Sequence, residues 1–116
     1  PSVVKLPDGS WLMAIASGIE GHKTLLAHSV DGLTFSLTGA GLDGGVPELM
    51  MTADGDIRCF ITGFGIESHI SRDNGATWTK ESGTRLQAEL TDVTADPSAI
   101  KISDGTTELY YKTIPL

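Results

Sequence analysis

The feature that most constrains this chain is an internal repeat. A proline, a short apolar run and an Asp-Gly pair recur at residues 1–9, 47–55 and 97–105. The prolines at 1, 47 and 97 are 46 and 50 residues apart, and the three Asp-Gly pairs keep the same spacing. A second motif, S-x-D-x-G-x-T-W, is complete at 71–78 and has one residue deleted at 29–35. Two markers with one common period predict a chain built from copies of a single supersecondary unit.

Each unit is predicted to contain four β-strands. An Asp-Gly pair between apolar runs is a strong hairpin signal, because the tight turn needs positive φ. Each repeat proline is expected to begin the first strand of its unit, where a missing N–H does least harm. The expected strands are 2–6, 10–17, 23–29 and 34–38 in the first unit, 48–52, 56–63, 66–71 and 77–81 in the second, and 98–102 and 107–113 in the third.

The fold class follows from the apolar pattern. No stretch keeps a 3.6-residue apolar period over ten residues, which predicts an all-β chain. Residues 12–15 and 59–61 are apolar on both faces of their strands, so the sheets should be covered on both sides. Four-stranded antiparallel units of this period, stacked face to face, are the blades of a β-propeller. We therefore expect a single propeller segment with blades at 1–46 and 47–96 and half a blade at 97–116.

Charge and cysteine content exclude several kinds of partner. Fifteen acidic against eight basic residues give a net charge of −7, and the bases are scattered, so neither nucleic acid nor an anionic membrane is expected to bind. The longest apolar run, 11–16, is far shorter than the ~20 residues of a membrane span. The single cysteine, Cys59, excludes an intrachain disulfide and a multi-cysteine zinc site and is interpreted as a core residue. The three histidines lack metal-site spacing, so no metal or cofactor is expected.

The S-x-D-x-G-x-T-W motif resembles the Asp box, or BNR repeat, of sialidases and related bacterial propellers. The resemblance implies a structural role on the turn between the third and fourth strands, in which the aspartate accepts backbone N–H groups. The residues concerned are Ser29, Asp31, Gly32, Phe35, Ser71, Asp73, Gly75 and Trp78. Sialidase activity is not expected, since Arg58, Arg72 and Arg85 do not fall where an arginine cluster for the substrate carboxylate would be recognised.

The openings of the second and third units, Pro47-Glu48-Leu49 and Asp96-Pro97-Ser98, resemble the blade openings of five-bladed glycosidases of the arabinanase and fructosidase type. In those enzymes, acids at the starts of the innermost strands point into the central pocket. Glycoside hydrolysis needs two carboxylates across the scissile bond. The resemblance makes Asp96, as the modulating acid, and Glu48 candidate catalytic residues. It also implies that the catalytic set within this chain is incomplete.

Four further residues are candidates for ligand binding. Glu20 and Glu67 follow the second strands of their units, at the end of the sheet where the first strands begin. His22 and Arg58 complete the set. An alternative for Arg58 is an ion pair between blades with Glu108, because both stand four residues after an Asp of an Asp-Gly pair. The alternative for His22 is a surface position.

Two classes of function remain open on the sequence. One is a glycosidase-like propeller of carbohydrate-related function without a complete catalytic set in this chain. The other is a non-catalytic carbohydrate-binding or assembly module. Ten strands leave an open edge, and two chains carry the twenty strands of five blades. A homodimer that completes a ring is therefore expected, with a piece of a longer five-bladed protein as the alternative.

Overall fold

The computed structural model describes residues 1–18, 22–63, 65–87 and 92–115. Over these residues the chain forms ten β-strands and no helix, in three antiparallel sheets, so the all-β prediction is confirmed. The first sheet contains β1 to β4, the second β5 to β8, and the third β9 and β10, each in sequential order. The strands are β1 (Ser2–Lys5), β2 (Trp11–Ser17), β3 (Lys23–Ser29), β4 (Ser36–Asp43), β5 (Gly45–Met51), β6 (Ile57–Gly63), β7 (Gly65–Ser71), β8 (Thr79–Lys80), β9 (Asp92–Lys101) and β10 (Thr107–Pro115).

The Asp-Gly pairs form the tight turns between the first two strands of each sheet. Gly9, Gly55 and Gly105 have φ of 87°, 84° and 89°, which a glycine adopts without steric cost. Each also donates its N–H to the carbonyl three residues earlier. The turns therefore lie at one end of all three sheets, and the first strands begin at the other end.

Pro47 and Pro97 lie inside strands and not at their starts, which differs from the expected bounds, whereas Pro1 directly precedes β1 as expected. β5 begins two residues before Pro47, and β9 begins five residues before Pro97. The register moves from Gly45 opposite Thr62 to Glu48 opposite Phe60, so two residues oppose one. In the third sheet, residues 96 and 97 of β9 likewise oppose the single residue 111 of β10. The openings of the second and third units are therefore β-bulges, which let the strand continue through a residue that cannot donate to the ladder.

The fourth strands also differ from their expected bounds of 34–38 and 77–81. β4 covers Ser36–Asp43 and β8 only Thr79–Lys80. The N–H groups of Thr34 and Thr77 donate to Asp31 and Asp73, so these threonines belong to the preceding turns. Because these N–H groups bond to the aspartates, they cannot pair with the third strand, and the fourth strand begins later in the chain.

The sheets pack face to face around two apolar clusters. Leu12 and Leu26 of the first sheet meet Leu49, Ile57 and Cys59 of the second in the larger cluster. The smaller cluster joins the second sheet to the third; it contains Met50, Phe60 and Ile66, with Ala99 and Leu109 packed against them. Burial raises the pKa of the Cys59 thiol to about 12, and this side chain is fully buried, which agrees with its interpretation as a core residue.

Candidate functional site

The two S-x-D-x-G turns, of which the first has one residue deleted, share three hydrogen bonds. In the first, Ser29 Oγ donates to Asp31 Oδ1 at 2.9 Å and accepts the N–H of Gly32. Asp31 Oδ1 accepts the N–H groups of Leu33 and Thr34, each at 2.9 Å. Backbone N–H groups and the serine hydroxyl therefore stabilise the carboxylate, which holds the pKa of Asp31 at about 2.

The second turn repeats the three shared hydrogen bonds and contacts the first sheet. Ser71 Oγ donates to Asp73 Oδ1 and accepts the N–H of Gly75. Hydrogen bonds from the Thr77 hydroxyl and N–H lower the pKa of Asp73. Trp78 Nε1 donates to the Gly75 carbonyl at 3.0 Å, and the indole packs against the larger apolar cluster. Both turns lie at the end of the sheet that carries the Asp-Gly turns, since β3 and β7 run back toward that end.

Glu48 connects all three sheets. Its Oε1 accepts the Ser2 hydroxyl of β1 at 2.8 Å, and its Oε2 accepts the Ala99 N–H of β9 at 2.9 Å. Ser2 Oγ also accepts the N–H of Leu49 at 2.9 Å. Both carboxylate oxygens of Glu48 are therefore engaged by the first strands of the neighbouring units.

The half of the sheets away from the Asp-Gly turns carries three ion pairs. We call this region the strand-start rim and define it by the paired residues. They are Lys23 with Asp43, Lys80 with Glu67, and Lys112 with Asp96. The side chains of the three lysines are 45%, 56% and 56% exposed, so each pair is accessible to a solute.

Asp96 lies on this rim between the second and third sheets. It occupies the first bulge position with φ 57°, a conformation that non-glycine residues rarely adopt. Its N–H donates to Thr62 Oγ1 of β6 at 3.2 Å, and its carboxylate pairs with Lys112 of β10. Because Val46 has φ 45° at the equivalent bulge, the unusual backbone belongs to the unit opening itself. The bulge determines where the Asp96 side chain emerges.

The other predicted ligand-binding residues are distributed along this rim. Glu67 lies within β7, and its Oε2 is 2.5 Å from Lys80 Nζ. His22 is exposed with φ 56°, and its carbonyl accepts the N–H of Gly44 at 2.6 Å. Glu20 lies outside the described residues. His22 and Glu67 belong to different sheets, and they share no hydrogen bond within the described part of the chain.

Arg58 faces away from this rim and pairs within its own unit. Its Nε and Nη2 donate to the two carboxylate oxygens of Glu81 at 2.7 and 3.0 Å. Ser68 Oγ donates to the same carboxylate at 2.9 Å. The alternative of an ion pair with Glu108 is wrong, because Arg58 pairs with Glu81 and Glu108 accepts the Tyr110 hydroxyl. Glu81 is placed beside β7 by its N–H bond to the Ser68 carbonyl, which gives Arg58 a nearer partner.

A groove lies beside this ion pair, between β6 and β10. Its volume is about 280 Å³. The lining combines two guanidinium groups with apolar and hydroxyl side chains; it consists of Arg58, Phe60, Arg85, Thr107 and Leu109. Arg85 Nη2 donates to the Ser82 carbonyl, so it is held near the Arg58–Glu81 pair. The groove follows the contact between the second and third sheets.

Several partners in these sites could not be identified from sequence. Glu81, Lys112 and Thr62 carry no motif, and each reaches its partner only through the pairing of strands. Ser2 had a signal, since it and Glu48 follow consecutive repeat prolines. Within the described residues, no group of three or more His, Cys, Asp or Glu side chains could hold a metal ion. Over the same residues, no helix has the length and apolar character needed to cross a membrane.

Comparison with protein-family models, with curated proteins and with solved structures finds no match for this chain. The function must therefore be inferred from the geometry of the chain itself.

Proposed function

We propose that the three sheets form a segment of a BNR/Asp-box β-propeller related to glycosidases, and that this segment binds carbohydrate at the strand-start rim without hydrolysing it. The stacking of sequential antiparallel sheets supports the propeller assignment. The first strand β5 contacts both β1 and β9, as the innermost strands of adjacent blades would. The two S-x-D-x-G turns lie between third and fourth strands, where an Asp box is expected.

The observation that carries the ligand proposal is the environment of Asp96. The bulge places its carboxylate beside the Lys112 ammonium, and its backbone N–H donates to the nearby Thr62 hydroxyl oxygen. A carboxylate, an ammonium and a hydroxyl offer both donors and acceptors to sugar hydroxyls. Asp96 is therefore our principal ligand-binding residue.

The proposal of binding without hydrolysis is supported by the hydrogen bonds of Glu48. A glycosidase needs two carboxylates free to act on the substrate, one as acid and one as base or nucleophile. Both oxygens of Glu48 accept hydrogen bonds from Ser2 and Ala99, so this group is committed to holding the sheets together. Of the two candidate catalytic acids, only Asp96 remains available to a ligand. A single carboxylate supports binding and not bond cleavage.

A second candidate function is assembly. The third sheet presents the exposed apolar residues Ile100 and Tyr110, which are 52% and 55% exposed. Such a face is typical of a surface that another sheet covers. This function does not depend on the carbohydrate site and is tested separately below.

The carbohydrate proposal is tested with a panel of arabino- and fructo-oligosaccharides, with sialyllactose as the acidic comparison, by saturation-transfer NMR. We expect at least one neutral oligosaccharide to bind and Asp96→Asn to abolish the signal. Asparagine tolerates the left-handed backbone, so the variant should keep its melting temperature within a few degrees. Asp104→Asn is the matched control, since Asp104 lies in the Asp-Gly turn at the opposite end of the same sheet. No binding by the wild type, or equal loss in both variants, would overturn the proposal.

A further inference from the structure

Equivalent positions of the three units face the next sheet along the chain. Val4 packs into the cluster between the first and second sheets, and Met50 is buried between the second and third. The equivalent residue of the third unit, Ile100, is 52% exposed. Along the second strands, Phe60 is 4% exposed and its equivalent Tyr110 is 55% exposed. The third sheet therefore exposes the face that a neighbouring sheet covers in the other two units.

A hydrogen bond is repeated at each contact between sheets. The residue after the repeat proline accepts the N–H of the residue two positions after the next proline. Ser2 Oγ accepts from Leu49, and Glu48 Oε2 accepts from Ala99, each at 2.9 Å. Ser98 is the next acceptor in this series, and its side chain is exposed. The third acceptor of the series, Ser98 Oγ, therefore lies on the exposed face of the third sheet.

The first sheet has the matching face. Val3 is the equivalent of Leu49, and the register is the same: Val3 pairs with Met13, and Leu49 pairs with Cys59. The Val3 N–H therefore points in the same direction as the Leu49 N–H. The side chain of Val3 is 44% exposed, whereas that of Leu49 is 5% exposed. Three more residues of this face are partly exposed: Trp11, Met13 and Ile15. Their equivalents in the second sheet, Ile57, Cys59 and Ile61, are buried.

The two faces also differ in charge. Lys5 lies on the Val3 face of β1, where its ammonium is 5.2 Å from the centroid of the Trp11 ring. Glu108 lies on the Tyr110 face of β10, and its carboxylate accepts the Tyr110 hydroxyl. Beside the apolar residues, β1 therefore carries the Lys5 ammonium and β10 carries the Glu108 carboxylate. Packing of unlike faces keeps two copies of the same one of these charges apart.

We propose that a second copy of this chain packs its first sheet on the exposed face of the third sheet, with Ser98 Oγ accepting the Val3 N–H of that copy. The contact continues the two that already exist between sheets one and two and between sheets two and three. With two copies it forms twice, and the dimer contains six stacked sheets. The proposal depends on the faces of the sheets and not on the carbohydrate site.

Joining two β10 edges is the competing arrangement. Antiparallel pairing of β10 with its copy around a two-fold axis gives a joined sheet of four strands. That axis is perpendicular to the sheet, so the second sheets of both copies lie on the same side of it. A ring needs neighbours on opposite sides of every sheet, and the exposed face of the third sheet would stay uncovered. We therefore favour stacking of the faces.

The test is the mass in solution, measured by light scattering over a micromolar concentration series. We expect twice the 12.2 kDa of one chain for the wild type. Val3→Asp and Ile100→Asp should each reduce the mass to that of one chain, since each places a charge on one of the two faces. Mixing these two variants should restore the dimer, because a mixed pair has one contact with neither substitution. A contact between two identical edges would not be restored by mixing.

Val30→Asp is the matched control, since Val30 is 81% exposed in the Ser29–Phe35 turn and is not one of the residues named for either face. It should leave the mass at two chains. Hydrogen exchange of the wild type gives an answer that needs no variant: the Val3 amide should exchange more slowly as the concentration rises. A wild-type mass of one chain, a Val3→Asp variant that stays dimeric, or a Val3 amide whose exchange is independent of concentration would overturn the proposal.

Discussion

Ser2 and Glu48, which occupy the same position in consecutive units, are hydrogen-bonded at 2.8 Å across the contact between their sheets. Glu48 continues the connection by accepting the Ala99 N–H of the third sheet. A position suited to a catalytic carboxylate is thus used to join the first strands of three units. This arrangement explains why the repeat keeps a polar side chain after each repeat proline.

Removal of the Glu48 carboxylate should destabilise the chain. Glu48→Ala leaves the Ala99 N–H and the Ser2 hydroxyl without their acceptors, at a cost of about 1–3 kcal/mol. Glu48→Gln should cost less, because the amide oxygen can still accept the Ala99 N–H. The free energy of unfolding in urea measures both. Equal stability of Glu48→Ala and the wild type would show that the contact does not stabilise the fold.

Gly75 should tolerate alanine less well than Gly105. Both have φ of 89°, so alanine meets the same left-handed strain at each, about 1–2 kcal/mol. Only at Gly75 would the added Cβ lie 2.7 Å from Leu12 Cδ2, whereas the space around Gly105 is open. Urea unfolding should therefore give a larger loss for Gly75→Ala. Equal losses would mean that the second S-x-D-x-G turn does not pack tightly on the first sheet.

The bulge at Val46 should accept glycine at little cost. Glycine removes left-handed strain of about 1–2 kcal/mol but adds unfolded-state entropy of about 0.4–1 kcal/mol. We expect the free energy of unfolding of Val46→Gly to equal or slightly exceed that of the wild type. Val4→Gly is the control, since Val4 has no positive φ and packs against the larger cluster, so it should be clearly destabilised. A Val46→Gly loss as large as that of Val4→Gly would contradict the strain at the bulge.

Glu81 should contribute to the loss of stability in acid. Its hydrogen bonds from Arg58 lower its pKa below the ordinary value of 4.5. The folded state therefore favours the carboxylate, and this stabilisation is present above pH 4.5 and lost as the pH falls through the lowered pKa. Glu81→Gln should show a shallower decline of the unfolding free energy below that pH. An unchanged slope would show that Arg58 does not stabilise the Glu81 carboxylate.

The strand positions could be predicted from sequence because the repeat marks them locally. Asp-Gly pairs fix three hairpins, and apolar runs such as 57–61 show which strands are covered on both faces. The bulges could not be predicted, since a residue before proline normally takes extended backbone and Asp96 does not. Sequence equivalence suggested Glu108 as the partner of Arg58. The sequence could not show that Glu81, which follows β8, lies beside Arg58.

The candidate site was predictable only as a set of residues near one end of the sheets. Strand direction follows from the order of the hairpins, so the sequence indicates that Asp96 and Glu67 lie away from the Asp-Gly turns. The roles of their partners depend on contacts between residues far apart in the chain. Glu48, for example, contacts residues 46 positions before it and 51 after it, and no local pattern indicates such pairs.

The central claim is that the strand-start rim binds carbohydrate, and the most direct test is amide chemical-shift mapping of the wild-type chain with a neutral oligosaccharide selected from the panel. The account predicts that the shifted amides cluster around Thr62, Asp96 and Lys112. The amides of the Asp-Gly turns at the opposite end should not move. Shifts at those turns, or no shifts in either place, would contradict the claim.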